Sequence, residues 1–179
     1  MSLQAIAAAV ARVKAAFTRR PEAGVHDDGP ATARWVSASR VVVRNPDGLE
    51  VITDMPVELG GSGGQFTPGW LMRAGMASCA ATSITLACAS QGVALTALQV
   101  DVASRSDARG LLGMAGADGA TVYAGPFDVV LRVSLSAAGA TPEDLQALVQ
   151  KCLGHSPVPC AMATATPFDL QVRIMDAAL

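Results

Sequence analysis

The sequence predicts an α+β protein in which antiparallel strands and hydrophobic helices share one core. Three observations lead to this fold class. Runs of β-branched residues bounded by turn residues recur along the chain, an uncharged stretch over 74–100 suits a buried helix, and 141–144 has the composition of a helix start. Hydrophobic residues make up 51% and charged residues 16% of the 179 positions, which is a globular composition.

The first thirty residues predict an amphipathic helix followed by a loop. Apolar residues recur at spacings of three and four, which favours a helix over about 2–19 with Ser2 as its N-cap. Proline, glycine and aspartate dominate 21–30. We therefore divide the chain into an N-terminal helix and loop, 1–30, and a single domain, 31–179.

A β-hairpin and a flexible connector are predicted next. The β-branched run 40–44 is followed by the turn sequence Asn45-Pro46-Asp47-Gly48, and 49–53 returns. Four glycines in 58–64 allow backbone angles that other residues avoid. This connector matches no phosphate-binding motif, since neither GxxxxGK[ST] nor GxGxxG after a strand is present.

The longest predicted element is a helix over 68–91. Pro68 suits the first helical turn and Gly92 suits a C-terminal cap. Its uncharged length is also enough for a bilayer, but serines, threonines and alanines make it only weakly hydrophobic, which favours a buried helix. A helix that is apolar all round must be covered all round, so we expect a homodimer with this helix near its centre.

The remaining elements are predicted from pattern alone. Strands are expected at 94–104 and 127–136, separated by a long glycine-rich segment, 107–125. A helix is expected from Thr141 to about Leu153, and alternating residues predict a final strand over 168–174.

Composition and cysteine spacing exclude several classes of function. A net charge of −2 gives no reason to expect a nucleic acid or an anionic membrane as partner. The cysteines form no CxxC pair and the chain has two histidines, so no zinc site is predicted. The N-terminal apolar run lacks a preceding basic region and is broken by Arg12 and Lys14, so we expect no secretory signal and a cytoplasmic protein.

One cysteine of the long helix is a candidate nucleophile. Cys79 and Cys88 are nine residues apart and so lie on opposite faces of a helix, which prevents them from serving one site. Buried free cysteines are usually inert, and a reactive one must be a stabilised thiolate. Cys79 would need a cation from another segment, whereas Cys88 and Cys152 are expected in the core.

The sequence resembles the osmotically inducible protein C (OsmC) and organic hydroperoxide resistance (Ohr) superfamily. The residues that carry the resemblance are Glu58-Leu59-Gly60-Gly61, Thr67-Pro68, Leu71, Ala74-Gly75 and Cys79. Ser156-Pro157-Val158 is similar to the family's second motif, which usually begins with Cys. The resemblance extends over roughly 31–174.

The resemblance implies a fold, a reaction and partners. In the implied fold, two chains intertwine and antiparallel sheets wrap two central helices. The implied activity is a thiol peroxidase that uses no metal, flavin or other cofactor. A cysteine thiolate attacks the O–O bond of an organic hydroperoxide, a second cysteine captures the sulfenic acid, and an external dithiol reduces the disulfide.

Carried over by position, Cys79 is the attacking thiol, but two positions depart from the family pattern. Gly69 stands where active members carry a glutamate that pairs with an arginine, and Ser156 stands at the resolving cysteine. Cys160, four residues on, is the substitute resolving thiol that we predict. Arg40 is the predicted active-site arginine, with Arg44 as the next candidate.

Two other functions remain open at the level of sequence. Gly69 and Ser156 also fit a non-catalytic small-molecule binder, or a stress-related protein, that kept the fold and lost the peroxidase activity. A Cys–His hydrolase that uses Cys79 with His155 or His26 is the third hypothesis, although no orienting third residue is recognisable.

Overall fold

The computed structural model describes residues 2–175, and their chain begins with a helix. Helix α1 spans Leu3–Arg19, and the Ser2 hydroxyl caps it by accepting a hydrogen bond from Ala5 N at 3.2 Å. A 3-10 turn at Pro21–Gly24 follows. The predicted N-terminal helix and its cap are confirmed.

Three short strands form the first antiparallel sheet, in the order β1-β2-β3. Strands β1, β2 and β3 are Thr32–Ser37, Arg40–Arg44 and Glu50–Thr53. The predicted hairpin is β2–β3, whereas sequence analysis missed β1. All six β1 residues are exposed, so β1 has no burial pattern to detect and depends on its pairing with β2.

Helix α2, Pro68–Gln91, has the predicted bounds. Thr67 Oγ1 accepts a hydrogen bond from Trp70 N at 3.2 Å, and Gly92 closes the helix with φ of 69°. An 18-residue window of this helix has a mean hydropathy of 1.2, so by length and composition the helix is also apolar enough to cross a membrane. Only 22% of that window is buried within the chain.

The second sheet pairs two long strands, β4 (Ala94–Arg105) and β5 (Phe127–Ala138), in antiparallel register. The glycine-rich segment between them contains a single helical turn, α3 (Ala108–Leu111). Helix α4 spans Pro142–Leu153 as predicted, and a further short helix, α5, spans Pro157–Ala163.

The core lies where α2 meets the second sheet and α4. Its centre consists of Ile84, Cys88 and Leu148, and apolar side chains from β4 and β5 pack against them. Helices α1 and α5 also pack on α2, whereas the first sheet makes its extensive contacts only among its own strands. The second sheet, not the first, therefore positions α2.

The predicted strand over 168–174 is wrong for this structure, because the described part of this segment has no regular secondary structure. Phe168 and Ile174 are 89% and 87% exposed. Alternation of apolar residues indicates which side chains a strand would bury, but a strand also needs a hydrogen-bonding partner, and this segment pairs with neither sheet of its own chain.

The chain exposes more surface than a compact monomer of its mass. Its accessible area is 13141 Å² for 18.2 kDa, whereas about 8,100 Å² is expected of a folded monomer of this size. Large apolar side chains contribute to the excess, among them Trp35, Tyr123, Phe168 and Val172.

Candidate active site

The sulfur of Cys79 lies half-buried on α2, facing the start of α5. Ser156 Oγ is 3.3 Å from Cys79 Sγ, and Val158 N donates a hydrogen bond to the same sulfur at 3.4 Å. Both of these partner groups are neutral. In residues 2–175, no arginine or lysine forms a hydrogen bond with Cys79.

Ser156 lies beside Cys79 because it is in the short connection between α4 and α5. Helix α4 ends at Leu153, and Pro157 begins α5, so Ser156 is the N-cap residue. Its hydroxyl makes no capping hydrogen bond. Instead it accepts one from Ser83 Oγ at 3.0 Å and contacts Cys79, and the residue is completely buried.

The structure does not bring Cys160 into contact with Cys79. Cys160 lies one turn after Ser156, since Cys160 N donates to Ser156 O at 2.9 Å. Its sulfur lies 3.3 Å from the carbonyl oxygen of Gly154, and its thiol is free. Position 156, which the resemblance marks for the resolving cysteine, is the one that contacts Cys79.

Gly69 stands where the resemblance implies a glutamate, and the guanidinium of Arg73 nearby has another partner. A Cβ atom at Gly69 would lie 3.8 Å from Arg73 Nη1. Arg73 donates instead to Ser104 Oγ on β4, at 3.4 Å. A cation therefore lies beside the altered family position, one turn along the same helix.

The two arginines predicted for the site lie on the first sheet. Arg40 begins β2 and borders a shallow depression of about 360 Å³, together with Asp54 and the glycine-rich connector. Arg44 donates to the carboxylate of Glu50 through Nε at 2.8 Å, which makes it part of the hairpin. Neither arginine forms a hydrogen bond with Cys79 within the described chain.

Asp54 anchors the connector that leads into α2. Its carboxylate, 4% exposed, accepts hydrogen bonds from the Ser39 hydroxyl at 2.5 Å, from the Ser62 hydroxyl at 2.6 Å and from two backbone N–H groups. These hydrogen bonds hold the pKa of Asp54 far below its usual value of 3.8, and those from the hydroxyls of Ser39 and Ser62 have the largest effect. Gly61 is required here because a Cβ would lie 1.8 Å from the Met55 carbonyl oxygen.

Cys88 and Cys152 belong to the core, as the sequence predicts. Cys88 is fully buried, and Cys152 packs against the same cluster. Burial raises the pKa of both thiols above 9.0, and the neighbouring Cys88 adds to the increase at Cys152. Both thiols therefore stay protonated at neutral pH and are poor nucleophiles.

Neither histidine lies in hydrogen-bonding contact with Cys79. His26 is in the loop after α1, near Asp28, and His155 borders a groove between α1, α2 and α4. The pairing that a Cys–His hydrolase requires is not formed in this structure. Among the described residues there is also no group of three or more potential metal ligands.

The arrangement can hold and stabilise a sulfur that carries negative charge, through one hydroxyl and one backbone N–H. Sequence analysis missed Ser83 and the backbone of Val158. Ser83 was open to prediction, because it follows Cys79 by one helical turn and shares its face. The N–H of Val158 has no signal in the sequence, since it depends on how α5 packs against α2.

Fold and site together define an α+β protein with a cysteine on a long hydrophobic helix, facing the start of a second helix. The family model of the OsmC-like proteins matches residues 61–171. The chain therefore belongs to the OsmC-like family, within the OsmC/Ohr superfamily. No curated protein sequence matches the chain.

Solved structures of this superfamily share the fold. An OsmC-like protein from Mycoplasma pneumoniae is 13% identical, with a TM-score of 0.64 over 79% of this chain and 91% of that one. An organic hydroperoxide resistance protein from Legionella pneumophila is 25% identical, with a TM-score of 0.53 over 77% and 90%. One from Elizabethkingia anophelis is 22% identical, with a TM-score of 0.59 over 79% and 91%.

Proposed function

We propose that the chain is a thiol-dependent hydroperoxide reductase whose attacking group is Cys79. The observation that carries the proposal is the contact of Cys79 Sγ with Ser156 and with Val158 N, at the position that the resemblance assigns to the attacking cysteine. The Legionella and Elizabethkingia relatives are described as organic hydroperoxide resistance proteins. We therefore propose an organic hydroperoxide as the substrate.

In the first step, the Cys79 thiolate attacks one oxygen of the peroxide and the O–O bond breaks. Cys79 becomes a sulfenic acid, the peroxide leaves as an alcohol after taking up a proton, and no cofactor is consumed. The N–H of Val158 and the hydroxyl of Ser156 supply hydrogen bonds to the sulfur before the attack. The thiol of Cys160 then displaces water from the sulfenic acid to form a disulfide, and an external dithiol reduces that disulfide to two thiols.

Cys160 remains the resolving thiol in this proposal, but it must move first. Its sulfur has to leave the carbonyl oxygen of Gly154 and turn toward α2. Helix α5 has only seven residues, so local opening of its first turn is the proposed route. If Cys160 is the resolving thiol, Cys160→Ser must leave Cys79 as a sulfenic acid after one equivalent of peroxide.

The proposed active form is a homodimer of about twice 18.2 kDa. Its support is the surface excess described above and the face of α2 that carries Gly75, Ser78 and Thr82, which is exposed in the single chain. Small residues at spacings of three and four allow a second helix to approach closely. Sedimentation equilibrium at micromolar concentration tests this, and a monomer would contradict it.

The dimer also supplies the missing cation in this proposal. Within residues 2–175, the first sheet makes its extensive contacts only among its own strands, so it is available to a second copy. We assign Arg40 of that sheet to the Cys79 site of the partner subunit, where a guanidinium stabilises a thiolate. Residues 31–179 then form the OsmC-like domain, with 1–30 as an accessory helix and loop, in a soluble cytoplasmic protein that binds neither nucleic acid nor membrane.

Consumption of cumene hydroperoxide in the presence of a dithiol tests the reaction. Cys79→Ser is expected to reduce turnover to the rate of dithiol alone. Cys152→Ser is the matched control, because Cys152 donates to Val149 O at 3.4 Å and a serine hydroxyl can do the same. Full activity in Cys79→Ser, or equal losses in both variants, would contradict the proposal.

A non-catalytic binder of the same fold is the second candidate, favoured by Gly69 and Ser156. It predicts that stoichiometric peroxide leaves Cys79 reduced for minutes and that no dithiol-dependent turnover occurs. Peptide mass mapping of samples quenched within seconds of mixing separates the two candidates. Gain of one oxygen, or loss of two hydrogens, on the Cys79 peptide excludes the binder.

A further inference from the structure

Both lysines of the sequence border the same groove. Lys14 lies on α1, and Lys151 lies in the last turn of α4. His155, one of the two histidines, also borders the groove. All the remaining cationic side chains of the sequence are arginines, so the convergence of these groups sets this groove apart from the rest of the surface.

The groove, which we call the lysine groove, exists because α1 packs along α2 next to α4. Its volume is about 640 Å³, which lies within the range of small-molecule sites. Its apolar wall comes from all three helices. The apolar residues that line it are Val10, Leu86, Ala87 and Leu148.

The charge in the lysine groove is one-sided. Within residues 2–175, no aspartate or glutamate lines it, and no carboxylate lies within salt-bridge distance of Lys14 or Lys151. Each lysine contributes one positive formal charge. Two like charges beside an apolar wall favour a ligand with a negative head and an apolar body.

We propose that the lysine groove binds an amphipathic monocarboxylate such as a medium-chain fatty acid. The carboxylate lies between Lys14 and Lys151, and the acyl chain packs on Val10 and Leu148. Lysine suits this role because its ammonium can donate hydrogen bonds to a carboxylate in several directions while its methylene chain covers apolar surface.

The lysine groove is distinct from the Cys79 site but connected with it. Ser83 lines the groove and also donates to Ser156, which contacts Cys79. Helix α1, which supplies Lys14, lies outside the part of the chain that the family model matches. Binding uses no chemistry of Cys79, so the proposal stands whether or not the chain reduces peroxides.

Calorimetric titration of the full chain with octanoate tests the proposal, with two matched probes. Octan-1-ol keeps the apolar chain and lacks the charge, and acetate keeps the charge and lacks the chain. We expect octanoate to bind, and octan-1-ol and acetate to bind at least about tenfold more weakly.

The lysines are tested by Lys14→Gln/Lys151→Gln, which is expected to weaken octanoate about tenfold, as two partly screened ion pairs predict. Arg12→Gln/Arg19→Gln is the matched control, because it removes the same charge from exposed positions that do not line the groove. Circular dichroism checks that both double variants fold.

Three results would overturn the proposal. The first is no heat of binding with octanoate on the intact chain. The second is equal weakening in the two double variants, which would mean that only net charge matters. The third is binding to vesicles that contain anionic lipid without binding of octanoate in solution, which would make α1 a membrane-surface helix instead.

Discussion

Ser156→Cys is expected to form a disulfide with Cys79 after one equivalent of peroxide. Ser156 Oγ is 3.3 Å from Cys79 Sγ. Because a C–S bond is about 0.4 Å longer than a C–O bond, a sulfur in the same rotamer lies between about 2.9 and 3.3 Å from Cys79, depending on the angle of approach, and a disulfide requires about 2.05 Å. The remaining gap of about 0.9–1.3 Å is small enough for rotamer adjustment at both residues.

The size of the stability change follows from the loop that this bond closes. Residues 79 and 156 are 77 positions apart, and the chain-entropy relation gives about 4.5 kcal/mol for such a loop, before any strain in the folded state. For a chain of this length, each kcal/mol raises the melting temperature by about 2–4 °C. The oxidised variant is therefore expected to melt roughly 10 °C above its reduced form.

Thiol counting, peptide mass mapping and thermal melting with and without reductant measure the result. Cys79→Ser/Ser156→Cys is the control, since it keeps the introduced thiol and removes its partner. If the introduced thiol pairs with Cys160, or if Cys79 stays reduced, the assignment of position 156 as the partner of Cys79 is refuted.

Three further predictions concern the connector and the core. Asp54→Asn is expected to lower the melting temperature at pH 7. The folded pKa of Asp54 lies below 3.8, so the stability that its carboxylate contributes is present above that pH and is lost as the pH falls below it. Between about pH 5 and pH 2, the variant is therefore expected to lose less stability than the parent. Gly61→Ala is expected to cost about 2–3 kcal/mol in urea unfolding, as steric overpacking does, while Gly64→Ala, whose Cβ meets its nearest atom at 3.8 Å, is expected to change stability far less. At pH 7, iodoacetamide is expected to modify Cys88 and Cys152 last, because their raised pKa leaves little thiolate; early labelling at either would contradict their placement in the core.

Local signals made most of the fold predictable. Pro68 and Gly92 indicate the ends of α2 by local chemistry, and the structure has the predicted bounds. Strand β1 was missed and a strand at 168–174 was wrongly predicted, both for one reason: a strand is defined by its partner. β1 has a partner and no buried face, whereas 168–174 has apolar alternation and no strand partner within residues 2–175.

The candidate site was less predictable than the fold. Cys79 was found through the resemblance, and the contact between Cys79 and Ser156 joins elements that are distant in sequence. Sequence position suggested Cys160 as a substitute thiol. It did not indicate that α5 is helical from Pro157 and so directs the sulfur of Cys160 to the carbonyl oxygen of Gly154.

The departures at positions 69 and 156 have different physical consequences. Gly69 lacks the carboxylate that the resemblance implies at this position, and Arg73, one turn along α2, donates to Ser104. Ser156 keeps the contact with Cys79 and loses only the capacity to form a disulfide.

A completely buried hydroxyl without partners costs about 1–3 kcal/mol, so the fold itself requires the hydrogen bonds of Ser156 to Ser83 and Cys79. Because the fold requires this contact, the N–H of Val158, which donates to Cys79 Sγ, is the part of the site that supports the peroxidase. The rate at which peroxide oxidises Cys79 in the unmodified chain tests it.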